Sequence, residues 1–418
     1  MSLSDTVSLA VDLGTTTIAA SLLDASGRRL ADGGSLNPQR EFGADVVTRL
    51  GAAVASQDIR HRMARSVNAE LERLAHELLA DAELPASCLS RVAIAGNPAM
   101  EHFLLDLPVD SLSRIPYRPL FTDAKSVPTS DLGWGLGADA YIFPLPGGFV
   151  GGDLIAFLYG LDCFRSPIPD LAPRLFLDLG TNAEIALSAG DRIFATSAAA
   201  GPAFEGGNLS AGMPAFPGAI SGVVCDRDRF RVETIAGDTP QGICGSGAMS
   251  AIAALIKAGV IEPTGRLRPP EEVPSNLANR LSERNGELSF VLYRDAQREI
   301  ALTQEDVRQL QVAKAAIRAG IEVILARAGM AHADIGELVI TGSFGSVLGP
   351  ELLQALGIVP PVDSRTRFVT NGALAGIERF LNDPDGADGV SGLVSRLTVV
   401  PLSGNPRFEE HFVHFMDF

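Results

Sequence analysis

The fold is decided by a stretch that the chain contains twice, as Leu9-Ala-Val-Asp-Leu-Gly-Thr15 and as Leu175-Phe-Leu-Asp-Leu-Gly-Thr181. In each copy an apolar run ends in Asp-Leu-Gly-Thr, and a second β-favouring stretch follows at residues 17–24 and 184–188. This pattern predicts a β-hairpin whose turn carries an acid, a glycine and a hydroxyl. Two such hairpins, heading two halves of similar size, predict a duplicated α/β domain.

Helical periodicity occupies much of the remaining sequence. Residues 60–81 and 303–329 repeat apolar side chains at helical spacing, and Thr303 followed by Asp306 is typical of a capping box with Asp in place of Glu. The glycine-rich stretch 383–392 is predicted to be a loop. We expect a first domain at residues 1–170, a second at 171–370, and a connecting helix with a C-terminal strand and helix, returning to the first domain, at 371–418.

Composition and charge exclude several classes of function. The chain has 418 residues, of which 46% are hydrophobic and 20% are charged, as in ordinary globular proteins. The formal net charge of −16 argues against nucleic acid and anionic membranes as partners, because both bind through clustered Lys and Arg. The first residues lack the basic region of a signal peptide, and no apolar run reaches transmembrane length, so a cytoplasmic protein is expected.

The metal-binding residue types are dispersed along the chain. The four cysteines, Cys88, Cys163, Cys225 and Cys244, lie far apart and form no CxxC pair. The six histidines show no metal-ligand spacing either. Iron–sulfur and zinc sites need clustered ligands, so neither is expected in this chain.

Both copies of the repeated turn carry the parts of a phosphate and Mg²⁺ site. A glycine lets the backbone turn closely around an anion, amides and hydroxyls donate to its oxygens, and a carboxylate can hold a hydrated Mg²⁺. The predicted phosphate-binding residues are Gly14, Thr15, Thr16 and Thr17 in the first turn, and Gly180, Thr181 and Asn182 in the second. Asp12 and Asp178 are predicted to be catalytic and to hold the metal. The alternative is a pair of ordinary hairpin turns.

Two further glycine-rich segments complete the predicted nucleotide site. Val339-Ile-Thr-Gly-Ser-Phe-Gly345 is a strand that runs into a turn, the predicted adenosine turn, where a planar base and its sugar can approach the backbone. Gly242-Ile-Cys-Gly-Ser-Gly247 precedes a helix, whose N-terminal amides can bind an anion. For the second segment, packing of small residues is the alternative. The predicted cofactor-binding residues are Gly342, Ser343 and Gly345 in the first segment, and Gly245, Ser246 and Gly247 in the second.

Three charged residues outside these turns are further candidates. Asp153 and Glu205 lie in glycine-rich loops, where a carboxylate can bind Mg²⁺ through water or orient an attacking water. Asp153 is predicted as a metal residue and Glu205 as a catalytic one, with turn acids as the alternative. Lys314, on the helix before the adenosine turn, is predicted to reach the nucleotide, with a solvated helix face as the alternative.

The order of phosphate hairpin, phosphate hairpin and adenosine turn resembles the ASKHA superfamily of acetate and sugar kinases, actin and heat-shock chaperones. The resemblance implies two ribonuclease-H-like domains with an ATP cleft between them. The segment Asn371-Gly-Ala-Leu-Ala-Gly-Ile-Glu378 is similar to the second connecting helix of that superfamily, where small residues let helices cross closely. Its counterpart in the first half is expected at residues 96–100 and in the helix that follows.

The chain resembles one ASKHA family more closely, namely the reductive activators of corrinoid proteins. The resemblance spans almost the whole chain and rests on Asn37-Pro-Gln-Arg-Glu-Phe-Gly-Ala-Asp45, Ala95-Gly-Asn-Pro-Ala-Met100, Gly148-Phe-Val-Gly-Gly-Asp153, Asp178-Leu-Gly-Thr-Asn182, Gly201-Pro-Ala-Phe-Glu-Gly-Gly207 and Gly242-Ile-Cys-Gly-Ser-Gly247. It implies an ATPase that drives reduction of Co(II) to Co(I) in a cobalamin-dependent methyltransferase system, with ATP and Mg²⁺ as cofactors and the corrinoid (B12) protein as partner.

The chain departs from that family in one respect. Its members usually carry an iron–sulfur domain as the electron donor, often a ferredoxin-like domain at the N-terminus, whereas the cysteines here are dispersed. Electrons are therefore expected from a separate ferredoxin or from an iron–sulfur domain outside this sequence. A homodimer is also expected.

Three other functions remain as alternatives. Activators of 2-hydroxyacyl-CoA dehydratases, another ASKHA family, use a cysteine before a glycine-rich helix start to share a cluster across a dimer, and Cys244 is superficially similar. Cys225 and Cys163 do not fit that pattern, so a small buried residue in a tight turn is the favoured interpretation of Cys244. A small-molecule kinase would share the same ATP cleft, and a nucleotide-switched binding module would need no catalysis.

Overall fold

The computed structural model describes residues 6–163, 172–226, 229–284, 286–342, 349–362 and 365–418. The chain forms two compact units, each assembled from separate segments. Unit 1 comprises Met1–Pro173, Ala186–Ser197 and Thr370–Ser403, and unit 2 comprises Arg174–Ile185, Ala198–Val369 and Gly404–Phe418. The units differ from the expected domains at Ala186–Ser197, which belongs to unit 1, and at Gly404–Phe418, which belongs to unit 2.

The elements are numbered in chain order. The strands are β1 (Val7–Leu13), β2 (Thr17–Leu23), β3 (Arg29–Leu36), β4 (Leu89–Gly96), β5 (Lys125–Pro128), β6 (Asp139–Ile142), β7 (Arg174–Leu179), β8 (Ala183–Ala189), β9 (Arg192–Ala198), β10 (Ala219–Asp226), β11 (Arg229–Thr234), β12 (Gly242–Ile243), β13 (Leu281–Arg284), β14 (Glu287–Arg294), β15 (Glu299–Thr303), β16 (Glu337–Gly342), β17 (Arg365–Phe368) and β18 (Leu397–Val399). The helices are α1 (Val46–Ala55), α2 (Gln57–Asp81), α3 (Pro98–Leu104), α4 (Gly152–Gly160), α5 (Gly245–Lys257), α6 (Gln304–Ala328), α7 (Pro350–Ala355), α8 (Gly372–Asn382), α9 (Gly386–Ser395) and α10 (Pro406–His414).

Unit 1 is built on a six-stranded sheet in the order β3-β2-β1-β4-β6-β5. The predicted first hairpin is present, since β1 pairs antiparallel with β2 and Leu13 lies opposite Ile18. On its other side β1 runs parallel to β4, and β4 runs parallel to β6. Hairpin and parallel crossover together confirm the predicted α/β class, and they place the Asp-Leu-Gly-Thr turn at the end of a central, buried strand.

The predicted helix at 60–81 is the C-terminal part of α2. Its apolar face is buried as expected, with Val67 and Leu71 at most 1% exposed. The helix begins earlier, at Gln57, because the side chain of Ser56 accepts a hydrogen bond from the backbone N–H of Ile59 and caps the first turn.

The expected connecting helix is α8, and its neighbour in unit 1 is α4. The expected counterpart in the first half, at residues 96–100 and in the helix that follows, is α3, whereas the helix that packs against α8 is α4. A Cβ at Gly376 would overlap the backbone carbonyl of Ala156, and a Cβ at Gly160 would lie 3.0 Å from the Cα of Gly376. The two backbones are thus in direct contact.

Unit 2 carries the second hairpin. Strand β16 runs parallel to both β17 and β7. Strand β8 lies next to β7 in the same sheet, on the side away from β16. Two three-stranded sheets, β11-β10-β12 and β13-β14-β15, complete its strands among the described residues. Since Gly342 of β16 pairs with Leu179 of β7, the predicted adenosine turn and the second phosphate turn begin side by side.

Helix α6 of unit 2 begins and ends as predicted. The side chain of Thr303 accepts from the backbone N–H of Asp306, the Asp306 side chain accepts from that of Thr303, and Gly329 ends the helix in the left-handed conformation at φ 72°. Helix α10 packs against α6. No helix in the described part of the chain is both long enough and apolar enough to span a membrane.

Candidate functional site

The first phosphate turn is a tight connection in which position 14 excludes any side chain. A Cβ on Gly14 would lie 2.5 Å from the carbonyl oxygen of Thr17, so the four-residue turn closes only around a glycine. Asp12 is the last residue but one of β1, and Thr17 opens β2. The structure therefore brings all the predicted residues of this turn together, as their sequence spacing requires.

The hydroxyl of Thr15 is oriented by Asn97. The Asn97 side chain caps α3 by accepting from the backbone N–H of Met100 over 3.1 Å, and this fixes its NH₂ group, which donates to Oγ1 of Thr15 over 2.9 Å. A hydroxyl that accepts one hydrogen bond still has its own proton to donate. Thr15 is therefore arranged as a donor, which suits an anionic oxygen.

The second phosphate turn repeats the sequence but not the hydrogen bonding. Oγ1 of Thr181 donates to Oε2 of Glu205 over 2.7 Å, and the carbonyl of Thr181 accepts from the backbone N–H of Gly201. Two predicted site residues are thus in direct contact. A Cβ on Gly180 would meet only ordinary contacts, 3.4 Å from the carbonyl oxygen of Asn182 and 3.6 Å from Oε1 of Glu205, so this turn is less tight than the first.

Two carboxyl groups, those of the buried Glu101 and the half-buried Asp153, lie near Gly96, which pairs with Leu13 at the start of the first turn; the sequence identified only Asp153. Asp153 is in the first turn of α4, where the backbone N–H of Leu154 donates to it. Glu101 is 0% exposed; its Oε1 accepts from the backbone N–H of Gly96, while its Oε2 has no hydrogen-bond partner. A Cβ on Gly152 would overlap Oε1 of Glu101, so the glycine brings the start of α4 against this side chain.

Burial dominates the electrostatics of this pair. Desolvation raises the pKa of Glu101 well above its usual range, and the neighbouring charge of Asp153 raises it further. Desolvation also raises the pKa of Asp153 to about 6, against the opposing hydrogen bond from Leu154. Glu101 directly follows the segment 95–100 that carries the family resemblance, and this position was the only sequence signal for it. Its burial cannot be predicted from the identity of one residue.

The segment predicted to be the adenosine turn starts at Gly342, the last residue of β16. Gly342 has φ 104°, and a Cβ there would overlap the carbonyl oxygen of Leu179, so both the backbone conformation and the close approach require glycine. The other two residues assigned to this turn, Ser343 and Gly345, lie outside the described residues. Their role in nucleotide binding stays a prediction.

The glycine-rich start of α5 is explained by packing. A Cβ on Gly245 would overlap the carbonyl oxygen of Phe204, and one on Gly247 would overlap that of Ile220. Ser246 is 5% exposed, and its Oγ lies 3.2 Å from Sγ of Cys244. Cys244 is 3% exposed and donates to the carbonyl of Ile220, as expected for a small buried residue. Anion binding by residues 245–247 stays a prediction.

Lys314 occupies an environment that neither sequence interpretation foresaw. It is 2% exposed, so a solvated helix face is wrong. Its Nζ donates to the backbone carbonyl of Asp417 and lies 5.3 Å from the ring centroid of Phe418. Burial, together with the charge of Arg318, lowers the pKa of Lys314 to about 8. Within unit 2 this ammonium is thus covered by the C-terminal residues.

Among the described residues, the acids predicted to hold magnesium do not belong to a cluster of metal-ligating side chains. In the part of the chain that the structure describes, no three His, Cys, Asp or Glu side chains cluster at metal-binding distance. A hydrated Mg²⁺ takes one or two carboxylates and completes its shell with water and phosphate oxygens. Single carboxylates at Asp12 and Asp178, each next to a phosphate turn, fit that mode of binding.

The hairpin-headed sheets, the strand β16 that ends in Gly342 beside β7, and the α4–α8 crossing are the features of an ASKHA-type protein. The comparison with family models agrees: a model of the C-terminal domain of RACo, the ASKHA domain, matches residues 172–418, and a model of the RACo middle region matches residues 7–165. The chain therefore belongs to the RACo family of corrinoid-protein activators.

Individual members of this family are similar to the chain over nearly its full length. The chain is 31% identical to the corrinoid activation enzyme RamQ of Eubacterium limosum, over 97% of this chain and 69% of RamQ. It is 25% identical to the Co(II) methylated amine-specific corrinoid protein reductase of Methanosarcina barkeri, over 93% of this chain and 72% of the reductase. The solved structure of a reductive activator for a corrinoid, iron–sulfur protein superimposes with a TM-score of 0.88 at 29% identity, covering 99% of this chain and 66% of that one.

Proposed function

We propose that this chain couples ATP binding and hydrolysis to reduction of Co(II) to Co(I) in the corrinoid protein of a cobalamin-dependent methyltransferase system. Membership of a family whose named relatives are a corrinoid activation enzyme and a Co(II) corrinoid protein reductase carries the proposal. The Thr15 hydroxyl, arranged as a donor by Asn97, supports the nucleotide part.

The nucleotide is proposed to bind as Mg·ATP. Thr15 and the amides of its turn donate to phosphate oxygens, and the turn after Gly342 receives the adenosine. Asp12 and Asp178 hold Mg²⁺ through its water ligands, which neutralises charge on the phosphates. Glu205 is proposed to orient or deprotonate the attacking water, and its hydrogen bond from Thr181 beside the second turn supports this role. ATP and water then become ADP and phosphate.

The redox step moves one electron. Co(II) gains it and becomes Co(I), while an iron–sulfur donor, either a separate ferredoxin or an iron–sulfur domain, loses it. ATP contributes by favouring one conformation of the activator over another, which requires different contacts with nucleotide in the two conformations. The bare-backbone crossing of α4 and α8 at Gly376 is a candidate for the element that shifts. We further propose that the protein acts in the cytoplasm as a homodimer.

The decisive experiment supplies each component separately. Candidate corrinoid proteins in the Co(II) state are mixed anaerobically with this protein and a fixed low-potential reductant, and Co(I) is followed optically with ATP, with ADP and with a non-hydrolysable ATP analogue. Co(I) formation that needs ATP and this protein supports the proposal. ATP turnover that small acids or sugars stimulate, and corrinoid proteins do not, would instead identify a small-molecule kinase.

A further inference from the structure

Two buried side chains hold the first phosphate turn from the side of the protein core. Nδ2 of Asn37 donates to the carbonyl of Gly14 over 2.9 Å, and Nη1 of Arg49 donates to the carbonyl of Thr15 over 2.8 Å. Both side chains are 0% exposed. They approach the turn together, because Sδ of Met100 lies 3.4 Å from the Asn37 donor and 3.7 Å from the Arg49 donor.

Arg49 is an unusual residue for such a buried position. Its Nε donates to the carbonyl of Gly43, but Nη2 has no hydrogen-bond partner. No carboxylate in the described part of the chain forms an ion pair with it, and burial lowers its pKa to about 10 although the charge of Asp45 opposes this. A buried guanidinium without an ion-pair partner is unfavourable for folding, because its charge loses hydration that a neutral side chain of similar volume would not lose. Its presence therefore points to a role beyond packing.

The geometry of the peptide group shows what the two donors achieve. In a trans peptide the C=O and the N–H point in opposite directions. With the carbonyl of Gly14 held inward by Asn37, the N–H of Thr15 points away from the core. With the carbonyl of Thr15 held inward by Arg49, the N–H of Thr16 points away as well. Two successive amides on one side of a turn form a concave site for an anion.

The charge of Arg49 adds to this orientation. A cation that donates to a carbonyl in a low-dielectric interior polarises the whole peptide group, and the N–H at its other end becomes a stronger donor. The positive charge thus acts on an anion through the peptide without exposure of the guanidinium.

We propose that Asn37 and Arg49 are positioning residues for phosphate binding, which direct the amides of Thr15 and Thr16 toward the terminal phosphates of the nucleotide. The inference rests on the proposed binding of ATP by this turn and names the residues behind it. A residue that acts in this way changes affinity for the phosphate chain and leaves affinity for the nucleoside unchanged.

The test compares ATP with adenosine. Dissociation constants for Mg·ATP and for adenosine are measured by calorimetry with the parent protein, Arg49→Met, Arg49→Gln and Asn37→Leu. The matched control is Asn68→Leu, since Asn68 is another buried amide of unit 1, bonded to Ala64, Leu104 and Trp134 and not to the turn.

Arg49→Met is expected to weaken Mg·ATP binding roughly tenfold or more, with adenosine binding unchanged. Asn37→Leu should act in the same direction, and Arg49→Gln should fall between parent and Arg49→Met because it can restore one hydrogen bond without the charge. Asn68→Leu should leave the ratio of the two constants at the parent value. If Arg49→Met does not fold, Arg49→Gln and Asn37→Leu decide.

The positioning role is overturned if these variants weaken ATP and adenosine equally, or if they keep the parent ratio. If the parent protein binds no Mg·ATP, the proposed function itself is contradicted. If the parent binds Mg·ATP and the variants bind it equally well, only the positioning role is contradicted.

Discussion

Thr181 donates its hydroxyl proton to Glu205 over 2.7 Å, whereas Thr15, at the same place in the other copy of the motif, accepts from Asn97 over 2.9 Å. The two turns share the letters Asp-Leu-Gly-Thr and differ in the direction of the hydroxyl. In the first turn the hydroxyl proton remains available for an anion. In the second turn the hydroxyl proton is donated to a carboxylate, so it is not available to a phosphate oxygen in this arrangement.

Glu205→Gln is expected to reduce ATP turnover more than ATP binding. The substitution keeps the shape but removes the charge that holds the Thr181 hydroxyl and the base that can take a proton from water. A loss of general-base catalysis corresponds to roughly 10²- to 10⁴-fold in kcat, with the dissociation constant for ATP within a few-fold of the parent. The rate of phosphate release measures kcat, and calorimetry measures the dissociation constant for ATP.

The matched control for that prediction is Glu233→Gln, on β11 of the same unit, whose side chain is 58% exposed. It should leave both kcat and ATP affinity at the parent values. Equal loss of affinity and turnover in Glu205→Gln would mean that the carboxylate supports the shape of the turn and takes no part in hydrolysis.

Local signals in the sequence were sufficient for much of the fold. The hairpin between β1 and β2 follows from the alternation of apolar run, glycine turn and second strand, and α6 follows from the Thr303 capping box and the terminal Gly329. Each of these features is decided by residues within a few positions of one another, so a single sequence contains the necessary information.

Features that depend on tertiary contacts were not predictable in this way. The stretch 383–392 contains glycines and was predicted to be a loop, yet α9 covers most of it, because Val390 and Leu393 are buried, at 1% and 0% exposure. The helix that packs against α8 was not predictable either, since only the folded backbone shows that Gly376 lies against Ala156 of α4. Arg49 and Glu101 were missed for the same reason, because their burial is a property of several elements together.

Gly14→Ala and Gly180→Ala should differ although the two glycines occupy equivalent motif positions. At position 14 the added methyl group meets the carbonyl of Thr17 at 2.5 Å, so the first turn has to open and phosphate affinity is lost. At position 180 the contacts are ordinary, at 3.4 Å and 3.6 Å, and the turn keeps its shape. We expect ATP affinity to fall roughly tenfold or more for Gly14→Ala and less than about threefold for Gly180→Ala. Similar losses in calorimetry would contradict the asymmetry between the turns.

Stability is expected to depend on pH through Glu101. Its pKa is raised in the folded state, so the unfolded carboxyl ionises first as the pH rises, and the folded state becomes relatively less stable from about pH 4, near the unfolded pKa, up to the folded pKa. Glu101→Gln removes this contribution, so its stability relative to the parent should increase between pH 5 and pH 8. Urea unfolding at both pH values measures the difference, with the exposed Glu83→Gln as control. A pH-independent difference would contradict the raised pKa.

Two helical glycines of unit 1 should respond oppositely to alanine. A Cβ at Gly376 in α8 overlaps the carbonyl of Ala156, so Gly376→Ala has to separate α8 from α4 and is expected to lower the free energy of unfolding by about 1–3 kcal/mol or more. Gly392 in α9 has nothing within 4 Å of its added Cβ, so Gly392→Ala is expected to be neutral or to stabilise by up to about 1 kcal/mol. Thermal unfolding compares them directly, and equal midpoints would show that the crossing adapts without strain.

The last prediction concerns the coupling of ATP to reactivation. Asp12 and Asp178 each stand one residue before the end of a buried strand, next to a phosphate turn, where a carboxylate can hold Mg²⁺ through water. Asp12→Ala and Asp178→Ala are expected to abolish ATP-dependent Co(I) formation while the fold remains intact, because the metal that neutralises the phosphates is lost. Binding of the corrinoid protein without nucleotide should survive at least partly in both, because that binding does not require Mg²⁺ held by these acids. Asp32→Ala, on β3 with a side chain that is 63% exposed, is the control and should reactivate at the parent rate. The assay follows Co(II)-to-Co(I) conversion optically with a fixed electron donor, and circular dichroism checks the fold. If both variants reactivate the corrinoid at the parent rate, Mg·ATP held by these two acids does not drive the reduction.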